Sequence, residues 1–218
     1  MHHHAYENPA QTEGRLIRWA SSYDFLVNVL TFGQARRLRN LTIDHALLKP
    51  GESVLDVGCG TGGVTIPAKQ RVGANGRAAG IDPSPEMIAV SQKKAQHKGL
   101  EIDFRIGVIE ALPYPDASFD VVTSSLMMHH LPEHLQVKGL AEIYRVLKPD
   151  GRLLIADISS SKASSHQHLL NALAMHRGLK VGVEDLQETL KATGFEEVTL
   201  IGQRFWIIGF VRATRGES

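Results

Sequence analysis

A doubly wound α/β fold, with seven strands of which the last is antiparallel, is what the sequence predicts, and three observations carry the prediction. From residue 53 onward short apolar runs alternate with amphipathic segments, the pattern of βαβ units whose strands lie parallel. A glycine-rich loop at 58–63 joins the first of these strands to the helix that follows. Two apolar runs, Val198 to Ile201 and Phe205 to Val211, are separated only by Gly202-Gln203-Arg204, which predicts an antiparallel hairpin at one sheet edge. The 218 residues suit one ordinary domain with a decorating segment, a size that buries roughly 70% of the unfolded surface.

Taken in order, residues 1–12 are expected to be disordered or tag-like, since His2-His3-His4 run into polar residues with no signal-peptide character. Residues 13–48 form an expected N-terminal helical lid: Leu16, Ile17, Trp19 and Ala20, then Phe25, Leu26, Val29 and Leu30, recur at spacings of three and four, with Gly33 as a break. Residues 49–218 form the main domain. Its strands are expected near 53–57, 77–81, 102–106, 119–124 and 152–157, followed by the hairpin. Pro67 should kink or shorten the helix after the glycine loop. Ser84-Pro85-Glu86 supplies an N-cap, a first-turn proline and an acid for a helix that Gly99 closes. A helix with Leu135, Leu140, Ile143, Val146 and Leu147 on one face ends at Lys148-Pro149-Asp150-Gly151, and helices are expected at 166–176 and 183–193.

Composition excludes several classes. A formal net charge of +1 argues against a dedicated nucleic-acid binder, and Arg36, Arg37 and Arg39 read as a solvated helix face. The single cysteine, Cys59, leaves no internal disulfide framework and no multi-cysteine metal site, so a cytoplasmic setting is the expectation. The longest apolar run has seven residues, Phe205 to Val211, far short of the ~18 of a membrane span.

The glycine loop carries the chemistry. Gly58, Gly60 and Gly63 match the G-x-G-x-x-G dinucleotide fingerprint, and Asp82 lies near where a ribose-binding acid belongs. Asp56, two residues before the first glycine, argues against a dinucleotide. An unpaired carboxylate close to a pyrophosphate would cost on the order of 1–4 kcal/mol, whereas a cationic ligand without phosphate is attracted by it. The run Asp56-Val57-Gly58-Cys59-Gly60-Thr61-Gly62 resembles the first motif of the class I S-adenosylmethionine-dependent methyltransferases, and residues 53–157 resemble the type 11 group of that family. The resemblance implies a Rossmann-like fold and one S-adenosyl-L-methionine. It places Asp56, Gly58, Cys59, Gly60, Thr61 and Gly62 at the methionine end, with Asp56 supporting or contacting the cation. Asp82, with Pro83 and Ser84, is expected at the ribose, and Met87, Val108, Ile109 and Glu110 at the adenine. The family has an acid where this chain has Val108, so the backbone of Ile109 is expected to take the adenine amino group. Ser124, closing the fourth strand, completes the cofactor set.

A further stretch, Tyr23-Asp24 with Phe32-Gly33-Gln34 and Arg36-Arg37, resembles the N-terminus of the ubiquinone and menaquinone biosynthesis C-methyltransferases. It implies that Tyr23 and Arg37 cover the cofactor. Trp19, Phe25, Met128, His166 and Met175 are then expected as substrate wall. His130 to His134 spells H-x-x-E-H, but Pro132 suits the start of a helix and leaves His130 in the turn before it, so no metal is expected. His130, and after it His129, are candidate bases for an acceptor that must lose a proton. Ser124-Ser125-Leu126-Met127 lacks the Asp/Asn-Pro-Pro-aromatic pattern of nucleic-acid amino-methyltransferases. The reading is therefore methyl transfer to a small apolar or aromatic acceptor at oxygen or carbon, with no stable membrane insertion and a homodimer left open. Its alternatives are a non-catalytic S-adenosylmethionine-binding partner protein and an NAD-dependent oxidoreductase.

Overall fold

The computed structural model describes residues 33–159, 182–204 and 208–217. Helix α1, Ala35–His45, precedes strand β1, Ser53–Val57, and helix α2, Thr65–Val72. Strand β2, Arg77–Asp82, leads into helix α3, Pro85–His97, and strand β3, Asp103–Ile106. Strand β4, Phe119–Ser125, ends in a 3-10 turn at Met128–His130, followed by helix α4, Glu133–Val146. Strand β5, Leu147–Ile158, helix α5, Leu186–Thr193, strand β6, Phe195–Arg204, and strand β7, Ile208–Arg215, complete the order.

The seven strands form one sheet in the order β3-β2-β1-β4-β5-β7-β6. Pairing is parallel from β3 through β5, and β7 runs antiparallel to both its neighbours. The predicted hairpin is thus present at the sheet edge, but Gly202-Gln203-Arg204, expected as its turn, belongs to β6, where Gln203 pairs with Gly209 and Arg204 with Ile208. The order reverses between β1 and β4, and in such sheets ligands bind beyond the strand C-termini at that switch.

The two larger of three apolar clusters among the described residues flank the sheet, as a sheet covered on both faces requires. One joins Leu55, Val57, Val122, Leu153 and Ile155 to Leu140 and Ile143 of α4. The other joins Val54, Val121, Leu154 and Phe210 to Leu38 of α1 and Ala68 of α2. Alternate residues of β1, β4 and β5 therefore serve opposite cores, the period of two that a strand imposes.

Local punctuation follows the residues. The Ser84 hydroxyl accepts the Met87 N–H at 3.2 Å, capping α3. Pro67 lies in the first turn of α2, which begins only at Thr65, so the proline shortens the start of the helix rather than kinking its middle. One boundary differs from expectation. Lys148-Pro149-Asp150-Gly151 does end α4, but β5 already begins at Leu147 and runs through these residues, with a register shift against β4 between Phe119 and Val121. Asp150 takes a positive φ of 59° to make the irregularity. The expected helix at 166–176, residues 1–12 and residues 13–32 of the lid segment lie outside the described residues.

Candidate active site

Beyond the ends of β1 and β4 lies a cleft lined by Ala35, Leu38 and Arg39 of α1, by Asp56 and the glycine loop, and by Ser125 and Leu126.

The loop holds its shape through its own amides. The N–H groups of Gly58 and Cys59 both donate to the Ile81 carbonyl, at 2.9 and 3.0 Å, and that of Gly62 donates to the Cys59 carbonyl at 2.9 Å. The Gly60 N–H donates to Asp82 Oδ2 at 2.9 Å. These four donors are engaged within the protein rather than forming a cradle for phosphate oxygens. Gly58 has a φ of 74°, and a Cβ there would stand 2.4 Å from Met127 Cγ. Glycine is needed on both counts.

Two carboxylates frame the loop. Asp56 is 2% exposed; its Oδ2 accepts the Thr65 hydroxyl at 2.6 Å and its Oδ1 the Thr123 hydroxyl at 2.9 Å. Burial pushes its pKa up to about 6 against the pull of those hydroxyls, and the charge of Asp82 adds to the rise. Asp82 accepts Gly60 N–H and Ser84 N–H on separate oxygens, each at 2.9 Å. A carboxylate has about four lone-pair sites, so each oxygen retains acceptor capacity. Burial raises this carboxyl as well.

The flanks are cationic. The Lys94 ammonium donates to the Thr61 hydroxyl at 2.9 Å. Arg39 Nε lies 2.8 Å from where a Cβ on Gly63 would stand. Arg37, expected at the cofactor, is instead exposed and donates to Gln34 Oε1 at 3.3 Å. Ala35, Leu38 and Arg39 share one helix face at spacings of three and four, so the helix phase turns Arg39 to the loop and Arg37 away from it. That spacing was the signal in the sequence.

The segment after β4 is built on strain. Leu126 has a φ of 55°, an unusual left-handed conformation costing about 1–2 kcal/mol. It sets Met127 over Gly58 and buries Met128, 1% exposed, in the core under α4. Met128 is therefore core, which corrects its expected place in the substrate wall. His129 follows. Its Nδ1 lies 2.5 Å from Asp157 Oδ1, and its backbone N–H donates to Asp157 Oδ2 at 3.2 Å. Asp157 is itself 2% exposed. His129 is thus paired with a buried acid. The His130 ring lies against that of His129, with centroids 3.9 Å apart and the planes tilted by 44°. His130 lies in the 3-10 turn and His134 in α4, with Pro132 between them as N-cap, so the two do not share one helix as the H-x-x-E-H reading requires.

The remaining expected residues are placed as follows. Cys59 is buried, and a Cβ on Gly80 would meet its sulfur at 3.0 Å; burial and the nearby Asp56 and Asp82 push its thiol well up, which keeps it protonated. Met87, Val108 and Ile109 are buried, while Glu110 and Pro83 are half-buried. Ser124 Oγ is buried without a hydrogen-bond partner among the described residues. The 107–118 loop is fastened to α4: Glu142 accepts the Leu112 N–H at 2.8 Å, and Arg145 donates to the carbonyls of Leu112 and Tyr114 and to Asp116. Trp19, Tyr23, Phe25, His166 and Met175 lie outside the described residues.

A family model described as a methyltransferase domain matches residues 54–151. A ubiquinone/menaquinone biosynthesis C-methyltransferase of Yersinia enterocolitica is 31% identical over 204 residues, covering 83% of this chain and 80% of that protein. The chain belongs to the class I S-adenosylmethionine-dependent methyltransferases. A demethylmenaquinone methyltransferase of Thermus thermophilus is 37% identical over 138 residues, 63% of this chain and 61% of its own length. The chain thus spans about three fifths of the first curated relatives it matches. Among solved structures, a SAM-dependent methyltransferase from Aquifex aeolicus superposes with a TM-score of 0.70 at 23% identity, over 90% of this chain and 98% of that one. The [4+2]-cyclase SpnF superposes at 0.71 with 20% identity, over 95% and 100%. Likeness at that level concerns the fold, and one fold hosts several chemistries.

The family's cofactor is S-adenosyl-L-methionine, and the site fits it. Two carboxylates, both raised by burial and Asp56 raised further by the charge of Asp82, favour a cationic ligand, and the loop amides already engaged in the protein disfavour a pyrophosphate. Asp56, with both oxygens bonded to threonines, sits beneath the loop as a charged support.

Proposed function

We propose that this chain catalyses methyl transfer from S-adenosylmethionine to a small apolar or aromatic molecule at oxygen or carbon. The observation that carries the reading is Asp82 bridging the glycine loop and α3 at the end of β2, with acceptor capacity left for two ribose hydroxyls. When bound, the cofactor supplies an activated methyl group on a sulfonium leaving group. Arg39 and Lys94 flank the methionine end, where a cation suits its carboxylate, and the Asp56 charge suits the cationic centre. Met87 of α3 and Val108, Ile109 and Glu110 of the loop fastened by Glu142 and Arg145 hold the adenine. The protein contributes alignment and water exclusion, effects that reach roughly 7–11 kcal/mol in favourable cases.

The relatives are named for menaquinone and ubiquinone biosynthesis, which supports an aromatic or quinol-like acceptor. No helix among the described residues is long and apolar enough to cross a membrane. A cytoplasmic enzyme, alone or as a homodimer, fits this reading. The test is formation of S-adenosylhomocysteine and a methylated product when the protein is given S-adenosylmethionine and 1,4-naphthohydroquinone. Cofactor binding without product from any phenol, quinol or small acid would favour the non-catalytic binding protein.

A further inference from the structure

We infer that Asp56 exchanges a proton for the cofactor: it holds the proton in acid when the site is free and gives it up as cationic S-adenosylmethionine binds, so that the site weakens in acid. The inference rests on the methyl-transfer reading above and adds a control to the same site. Its ground is the seat of Asp56 in β1. The side chain is buried, yet it lines the cleft between α1 and the glycine loop. Among the described residues its oxygens meet uncharged donors, the Thr65 hydroxyl and N–H and the Thr123 hydroxyl. A hydroxyl both donates and accepts. Thr65 and Thr123 can therefore keep their bonds to a protonated carboxyl by turning their O–H bonds, and either protonation state fits without moving the loop. Asp82 differs, because its oxygens take backbone N–H groups of Gly60 and Ser84, which donate only.

The groups facing Asp56 from the surrounding elements set the balance. On β2, Asp82 lies two residues beyond Gly80, the register partner of Asp56, and its negative charge opposes a second one nearby. The Cys59 thiol of the loop is held protonated and adds no charge. From α2 and β4 the facing groups are the neutral Thr65 and Thr123. Arg39 of α1 lines the same cleft, and Lys94 of α3 donates to the Thr61 hydroxyl; neither is bonded to the Asp56 carboxyl. Burial and the charge of Asp82 outweigh the hydroxyl bonds, and the carboxyl titrates at about 6.

A cation within about 4–6 Å of a carboxyl favours its charged form, and S-adenosylmethionine brings a sulfonium together with an amino group that is protonated below about pH 7. In the exchange the Asp56 O–H bond breaks, the proton passes to water, and the carboxylate keeps the electron pair. Nothing is oxidised or reduced. The carboxyl of the free site binds its proton more tightly than that of the occupied site. Affinity is therefore full above the free-site pKa of about 6 and falls as pH drops through it, by up to about tenfold per pH unit, until the lower pKa of the occupied site is reached.

The test is calorimetric titration with S-adenosylmethionine from pH 5 to 7, run in buffers of low and high ionisation enthalpy so that protons released on binding are counted. Wild type should release about half a proton per cofactor at pH 6 and bind about tenfold more weakly at pH 5 than at pH 7. Asp56→Asn should lose that release, and its affinity should stay within about twofold across the range. The probe 5′-methylthioadenosine keeps the nucleoside and carries neither cation, so its binding should leave the proton in place. Carbon-13 titration of the cofactor-free protein gives a readout that needs no ligand: the Asp56 carboxyl should inflect near pH 6, and at least about one unit lower in the complex. Wild type that binds S-adenosylmethionine at pH 6 without releasing a proton, an equal release with 5′-methylthioadenosine, a release that persists in Asp56→Asn, or an Asp56 carboxyl that inflects at the same pH free and bound would overturn the inference and leave the methyl-transfer reading standing. Wild type that binds no S-adenosylmethionine anywhere between pH 5 and 8 would overturn that reading, and this inference with it.

Discussion

Replacing Asp56 with asparagine should make the cofactor-free protein more stable and its cofactor site weaker. The carboxyl is buried beneath the glycine loop, and its pKa stands at about 6 instead of 3.8. An acid whose folded pKa is raised binds its proton more tightly in the native state than in the unfolded one. Stability from this group is therefore greatest below about pH 4, falls as pH rises through the window from 3.8 to 6, and stays low above it. At 1.36 kcal/mol per pH unit the loss is on the order of 3 kcal/mol. Asparagine imitates the protonated carboxyl, and Thr65 and Thr123 can keep hydrogen bonds to it by rotating their hydroxyls. At pH 7.5 the variant should melt higher, by about 6–12 °C for a domain of this size. The advantage should vanish as pH is lowered through the same window. Affinity for S-adenosylmethionine should fall, since the charge that draws the sulfonium is gone. Paired thermal melts of both proteins from pH 4 to 8, with calorimetric titration at pH 7.5, measure all three. A variant less stable than wild type at pH 7.5, with no change in the difference across pH 4 to 6, would refute the reasoning.

Other expectations follow from the same geometry. Gly58→Ala adds a left-handed alanine and a Cβ 2.4 Å from Met127 Cγ, so unfolding stability should fall by about 2–4 kcal/mol; in a Met127→Ala background the steric part should disappear, as denaturant titration would show. Asp82→Ala leaves the Gly60 and Ser84 amides unpaired, which should cost about 1–3 kcal/mol each where they stay dry and weaken cofactor binding tenfold or more by calorimetry. Arg145→Ala removes the donors that fasten the Leu112 and Tyr114 carbonyls. Hydrogen exchange should quicken in residues 107–118 while the sheet amides stay protected, and cofactor affinity should drop through the loosened Val108–Glu110 segment.

The sheet was legible because its signals are local. Four of the five parallel strands are short runs of four to seven residues closed by a turn or cap, and the caps of α3 and α4 are written in Ser84-Pro85 and Pro132. Asp56 and Asp82 could be read because a carboxylate closing an apolar strand is itself a local anomaly. Asp157, at the end of β5, bears the same mark, but its partner His129 lies 28 residues away and meets it only in the folded sheet. The exchange of Met128 for Met127 at the loop depends on the left-handed Leu126, a backbone choice that leucine does not announce. Arg39 rather than Arg37 at the cleft is a matter of helix phase, set by the burial of Ala35 and Leu38. The early start of β5 depends on pairing with β4, which no local preference of Lys148-Pro149 reveals.

Isothermal titration of the protein with S-adenosylmethionine, beside an identical titration with NAD, tests the central claim most directly: that the loop between β1 and α2, framed by Asp56 and Asp82, is built for a sulfonium cofactor. One S-adenosylmethionine per chain with measurable heat, and none for NAD, is the predicted result. Saturable binding of NAD with no heat from S-adenosylmethionine would contradict it.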